Sequence, residues 1–287
     1  MKKDKSKILL IIVFTIFPFI FLITFTYLPI FQMIRYSFTD WDGVSKILNY
    51  VGLDNYKRIL TDSQYFGVFK VSFYYLIGAA IQLILALVIA GVLNTAMRCK
   101  KLFKGIMFFP YLINGVAVAM IFNFFFTPDG TFDSILKFVG LGGLIQKWLG
   151  DPALINYSLV FAQLWRYLGF TVVIFLGAMQ AIDTQVYDAS KVDGASGFQT
   201  FWYITMPSIK SILELQLILA VKNAFSAFET PYIMTDGANG SMTFVIQTIK
   251  TAFNYNHVGL ASAMAMVLFI IIIIITVVQK IFLRERG

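Results

Sequence analysis

The chain has 287 residues, of which 59% are hydrophobic and 13% charged, against about 25% charged in an ordinary soluble domain, so a soluble globular protein is excluded. The formal net charge of +8 does not point to nucleic acid, because the lysines and arginines stand at the ends of apolar runs rather than in one patch. Their placement reads as membrane topology.

A hydrocarbon core of about 30 Å takes roughly 20 apolar residues per helix. Six stretches meet that length, near 8–34, 67–94, 105–126, 155–180, 209–232 and 257–282. The remainder is too divided for a second folding unit, so residues 1–287 read as a single all-α transmembrane domain. Lys2, Lys3, Lys5 and Lys7 precede the first span, Arg98, Lys100, Lys101 and Lys104 separate the second and third, and Lys280, Arg284 and Arg286 follow the last. The positive-inside rule then puts both termini, and with six spans also the 181–208 loop, in the cytosol.

The first span has basic residues ahead of it, as a secretory signal does. It is too long for one, and Thr26-Tyr27-Leu28 offers no small-residue cleavage site. It reads as a permanent helix with Pro18 and Pro29 as kinks or end markers. Next come Ser37-Phe38-Thr39-Asp40-Trp41-Asp42-Gly43 and Val51-Gly52-Leu53-Asp54-Asn55-Tyr56, an outward segment rich in turn formers and aromatics. The lone Cys99 excludes an internal disulfide and a cysteine metal site. In the third span, Phe109-Pro110-Tyr111-Leu112-Ile113-Asn114-Gly115 interrupts the apolar run, and such a break belongs inside a bundle. A turn-rich outward loop follows, from Thr127 to Pro152.

Between the fourth and fifth spans stands Val186-Tyr187-Asp188-Ala189-Ser190-Lys191-Val192-Asp193-Gly194-Ala195, closed by Ile204-Thr205-Met206-Pro207. It resembles the EAA coupling loop of ABC importer permeases, in which an acidic residue, two small residues, Asp-Gly-Ala and a later Ile-x-Leu-Pro form a short cytosolic helix that docks in a cleft of the ATPase. Here Asp188 stands for Glu, Ser190 for the second Ala and Met206 for Leu. The bland alternative is an ordinary amphipathic loop helix. The resemblance implies that Asp188 pairs with a basic group on the ATPase. Ala189, Ser190 and Ala195 would keep the helix slim, Asp193 and Gly194 would form the Asp-Gly bend, and Pro207 would start the fifth span.

The fifth span carries Lys222, Asn223, Ser226 and Glu229. Charged groups in a span are costly, so Lys222 and Glu229 are expected to meet partners on other helices or water. Their seven-residue spacing places them on one helix face, too far apart for a direct pair. Gly259, Ala261, Ser262, Ala263 and Ala265 open the sixth span as a small-residue seam, facing either a second permease or this subunit.

From Phe17 to Gln279 the chain is similar to the binding-protein-dependent carbohydrate permeases of the maltose and multiple-sugar type, with a type I importer transmembrane fold. That resemblance implies a prokaryotic plasma-membrane subunit working with a second homologous permease, two copies of an ABC ATPase and an extracellular solute-binding protein. It also implies a mid-membrane sugar site using Tyr111 and Gly115 of the third span and Gln163, Tyr167 and Phe170 of the fourth. Polarity adds Asn114, Asn223 and Glu229. Each of these eight is as readily explained by helix packing or pore wetting.

No G-x-x-x-x-G-K-[ST] string occurs, so ATP and Mg are expected on a separate subunit. The single His257 reads as a helix-end polar residue rather than a metal ligand. No nucleophile motif appears, and a transport subunit without enzymatic activity or cofactor is expected. Three competing readings are the same machinery carrying a polyol or glycerol phosphate, for which Arg166 alone could serve the phosphate, a self-sufficient secondary transporter or channel, for which no inverted repeat is found, and a membrane anchor that scaffolds other proteins without transport, against which polar residues inside several spans argue.

Overall fold

The computed structural model describes residues 2–95 and 100–284, so Arg98, Cys99 and Arg286 lie outside the described residues. In chain order the helices are α1 (Lys2–Leu22), α2 (Leu28–Tyr36), α3 (Asp54–Thr61), α4 (Ser63–Phe66), α5 (Phe69–Asn94), α6 (Lys100–Leu112), α7 (Gly115–Phe126) and α8 (Thr131–Phe138). They continue with α9 (Ile155–Gln180), α10 (Thr184–Val192), α11 (Gly197–Thr200), α12 (Met206–Ser208), α13 (Lys210–Phe225), α14 (Glu229–Thr235), α15 (Phe244–Phe253) and α16 (Val258–Arg284). Among the described residues, five stretches are long and apolar enough to cross a membrane, and α6 with α7, bent by 93°, makes a sixth if counted as one span.

The chain divides into two units. One carries α1 to α4 and Gln247–Ile270. Here α1 runs through a widened π turn, Ile23–Tyr27, into α2. Pro29 follows that turn after one residue. Proline has no N–H and its ring crowds the carbonyl four residues back, and a turn bonded i to i+5 relieves both. Pro18 sits inside α1 without ending it.

The two outward strings of this unit form a clamp. Ser37 and Thr39 are fully buried. Asn55 Nδ2 donates to the carbonyls of Ser37 (3.0 Å) and Thr39 (2.8 Å), and the Tyr56 hydroxyl donates to Ser37 Oγ at 2.7 Å. Gly259 then donates its N–H to Trp41 O at 2.9 Å. A Cβ at Gly259 would overlap the Thr39 carbonyl. At Gly259, the small-residue start of α16 is explained by packing within this unit.

The other unit spans Gly67–Ile246 and the chain from Ile271 onward. The long helices α5 and α9 lie against each other, with Gly78 receiving the Val160 side chain. Helix α6 crosses α9 at Gly169, where a Cβ would overlap the Met107 carbonyl. Two apolar clusters result, one including Val118, Phe122 and Leu159, the other including Phe175, Leu176 and Ile209.

Two expectations need correction in this unit, and one is given its position. The third span breaks within the interruption that the sequence marks at Phe109–Gly115. It breaks after Leu112, where the Ile113 N–H bonds back to Pro110 O, and restarts where Asn114 Oδ1 accepts from Val116 N at 2.8 Å. The fifth span also breaks, at Ser226–Phe228 between α13 and α14, so Lys222 and Glu229 do not share a helix face. Pro207 does not start the fifth span. Helical structure begins at Gly197, passes through a second π turn, Phe201–Thr205, and reaches Pro207 one residue later, repeating the arrangement at Pro29.

Candidate functional site

The restarted halves α7 and α14 pack together, with Asn123 Nδ2 donating to Met234 O at 2.9 Å. Ahead of them α5, α6, α9 and α13 enclose a cavity of about 190 Å³. Tyr111, Gln163, Tyr167, Phe170 and Asn223 all line it. Tyr111 stacks on Phe170 at a 4.4 Å centroid distance and leans on Tyr167 at 5.9 Å, giving one wall an aromatic face. The opposite chemistry comes from amides. Gln216 is largely buried, and Gln82 Nε2 donates to Thr171 Oγ1 at 2.8 Å. Tyr75 also lines the cavity, and its buried hydroxyl has no protein hydrogen-bond partner.

A second cavity of about 230 Å³ shares Gln163, Tyr167 and Asn223 and adds Arg166, Ser226 and Glu229. Arg166 Nη1 donates to Glu229 Oε2 at 2.7 Å, and the guanidinium lies 5.1 Å from the Tyr167 ring centroid. The partner expected for Glu229 on another helix is therefore Arg166 on α9. Gly115 explains how the pair fits, since a Cβ there would fall on Glu229 Oε2 and Arg166 Nη1. Asn114 is exposed and its oxygen caps α7, so that like Gly115 it shapes the backbone near the cavities without lining them. Lys222 is exposed.

The 181–208 loop is built by local bonds. Asp183 Oδ1 accepts from Gln185 N at 2.9 Å and caps α10. At its other end Gly194 N–H bonds to Lys191 O (3.1 Å) and Ala195 N–H to Ser190 O (3.0 Å), the paired closure that a left-handed residue allows. Gly194 is that residue, at φ 76°, with open space around its Cα. Ser196 and Gln199 then cap α11 reciprocally. Asp188, Ala189, Asp193 and Pro207 are exposed, and Lys191 Nζ donates to Asp188 Oδ1 at 2.9 Å. Ser190 differs. It is buried, its hydroxyl donates to Tyr187 O at 2.8 Å and lies 3.4 Å from Thr200 Oγ1, so it faces the returning chain rather than the outer side of α10. The Tyr187 hydroxyl makes a similar tie to Thr205 Oγ1 at 3.3 Å.

Residues 82–286 match the family described as binding-protein-dependent transport system inner membrane component. The chain belongs to that family. It is 30% identical to the multiple sugar-binding transport system permease protein MsmF of Streptococcus mutans over 88% of this chain and 87% of that one. It is 29% identical to the probable ABC transporter permease protein YurN of Bacillus subtilis over 94% of this chain and 96% of that one. A chain in the crystal structure of a bacterial alginate ABC transporter, in complex with an alginate pentasaccharide-bound periplasmic protein, shares the fold with a TM-score of 0.86 at 18% identity, over 99% of this chain and 96% of that one. The protein is a multi-pass membrane permease, a transport subunit rather than an enzyme.

The permease cavity draws on one helix that the sequence reading left out. Tyr75 and Gln82 of α5 stand seven residues apart with Gly78 between them, a polar and small-residue stripe in an apolar span that could have marked the cavity wall. Gln216 and Thr171 carried no such signal. Among the described residues no cluster of three metal-binding side chains occurs.

Proposed function

We propose that this permease forms half of the translocation pathway of an ATP-driven importer for sugars, oligosaccharides above all, delivered by an extracellular binding protein. A second homologous permease supplies the other half, and two copies of a separate ABC ATPase bind ATP and Mg beneath both. In this arrangement the termini and the 181–208 loop are cytosolic, and residues 1–287 act as one transmembrane domain. The observation that carries the reading is the cavity of α5, α6, α9 and α13. Stacked rings at Tyr111 and Phe170 suit the apolar CH face of a sugar, and Gln163, Gln216 and Asn223 suit its hydroxyls. The relatives named for sugars support it.

The loop suggests how ATP would reach that cavity. Asp188, Ala189 and Asp193 offer α10 to the ATPase, with Gly194 and Ala195 closing the helix. Ser190 and Tyr187 tie α10 to Thr200 and Thr205, and the chain from there runs past Pro207 and Ile209 directly into α13, which brings Gln216 and Asn223 to the cavity. Displacement of α10 therefore moves a cavity wall.

Uptake of labelled mono- and oligosaccharides and glycerol phosphate, in cells with and without this chain, tests the reading. Selective loss of one sugar is expected. Unchanged carbohydrate uptake would refute it.

A further inference from the structure

Among the described residues, Arg166 and Glu229 are the charged side chains that line the two connected cavities, and they cancel each other. Arg166 is the enclosed member, its side chain 14% exposed and its Nε without a protein partner, while Glu229 is 42% exposed and opens beside Gln163 and Asn223. A guanidinium keeps its proton in any protein environment, so the positive charge of Arg166 is permanent and an enclosed one must be held by an anion. Glu229 fills that position, and the missing Cβ of Gly115 leaves room for it.

We infer that Glu229 is a specificity-determining residue, which occupies the anion position of Arg166 and so reserves the site for uncharged sugars. The inference rests on the sugar reading above. A cargo bearing a carboxylate or phosphate must either displace Glu229 from Arg166 or stand beside it, and the second arrangement sets two anions side by side. This is discrimination by repulsion, separate from the contacts that attract a neutral sugar. Removing the charge of Glu229 while keeping its shape leaves Arg166 as an anion receptor on the same wall of Gln163, Tyr167 and Asn223. The ligand class gained is therefore a sugar bearing a carboxylate, a uronate.

The test uses the assembled importer in lipid nanodiscs without binding protein, so that no upstream selection acts. Maltotriose, trigalacturonate and acetate are titrated by saturation-transfer NMR against wild type, Glu229→Gln and the double variant Arg166→Gln/Glu229→Gln. Glu229→Gln is expected to bind trigalacturonate about tenfold more tightly than wild type, as one recovered charge contact provides, and to gain acetate binding as well. The double variant should lose both gains. No gain for either anion in Glu229→Gln, or a gain that survives in the double variant, would overturn the inference. So would a wild type that binds trigalacturonate as tightly as maltotriose, a comparison that needs no variant to assemble. Failure of maltotriose to bind wild type would instead count against the sugar reading, and the acetate titration would still decide the role of Glu229.

Discussion

The loop from Asp183 to Ser208 and the ion pair beneath Gly115 are held together in opposite ways. In the loop the bonds close over short distances in sequence, from Asp183 to Gln185, from Ala195 back to Ser190 and between Ser196 and Gln199. At the pair, Gly115 of α7, Arg166 of α9 and Glu229 of α14 meet from three separate helices. A change in the loop's local bonds acts first on α10 and reaches the helices only through the chain that enters α13. A change at the pair reaches three helices at once. The loop is thus built from local bonds, and it reaches the cavity wall only through the ties of Tyr187 and Ser190 to the chain that enters α13.

If that contrast holds, Gly115→Ala has the largest effect on folding. Its methyl group lands on both partners of the ion pair, so the partners must shift, and overpacking of this kind costs about 1–3 kcal/mol. A clear fall in the thermal midpoint of the purified complex is expected, with loss of uptake. An unchanged midpoint would show that the helices can move apart there without cost.

Gly194 comes next. At φ 76° a β-branched side chain costs about 1–2 kcal/mol, although nothing surrounds the position. Gly194→Val should therefore uncouple ATP hydrolysis from uptake by unwinding the end of α10. Gly194→Asn, which tolerates the left-handed conformation, should keep much of the coupling. Equal loss in both would mean that bulk at the docking surface, and not backbone conformation, is what the position excludes.

The same contrast explains what could be read from the sequence. The loop was legible because its determinants are local: an Asp before a helix, a Gly after it, a Ser and a Gln three residues apart. Five spans, and a sixth if the bent α6 and α7 are counted as one, were legible because length and hydropathy set them. The breaks were only half legible. The break at Ile113 and Asn114 falls inside the Phe109–Gly115 interruption of the third span, whereas nothing in Ser226-Ala227-Phe228 announced the second one. Arg166 and Glu229 are each visible as a charge in a span. That they pair, and that Gly115 makes room for them, depends on helix placement that no spacing encodes.

Ser190 and Asp188 sharpen the comparison from within α10. Ser190→Ala removes the bonds toward Tyr187 and Thr200 at a cost of about 1 kcal/mol. Uptake should fall through loosening of α10 on the chain leading to α13, with a small drop in thermal midpoint. Asp188→Lys should change stability least of all. The existing pair with Lys191 is exposed on both sides, such pairs contribute about 0–1 kcal/mol, and like charges three residues apart on a helix cost only a few tenths more. The thermal midpoint should stay near that of wild type. On the proposed docking of α10 coupling should nonetheless fail, because reversing a carboxylate that meets a basic surface turns attraction into repulsion at contact. ATPase rate and sugar uptake measured on one reconstituted preparation separate the two effects. Normal uptake with an unchanged midpoint would remove Asp188 from the docking surface, and a large drop in midpoint would show that α10 is not independent of the helices behind it.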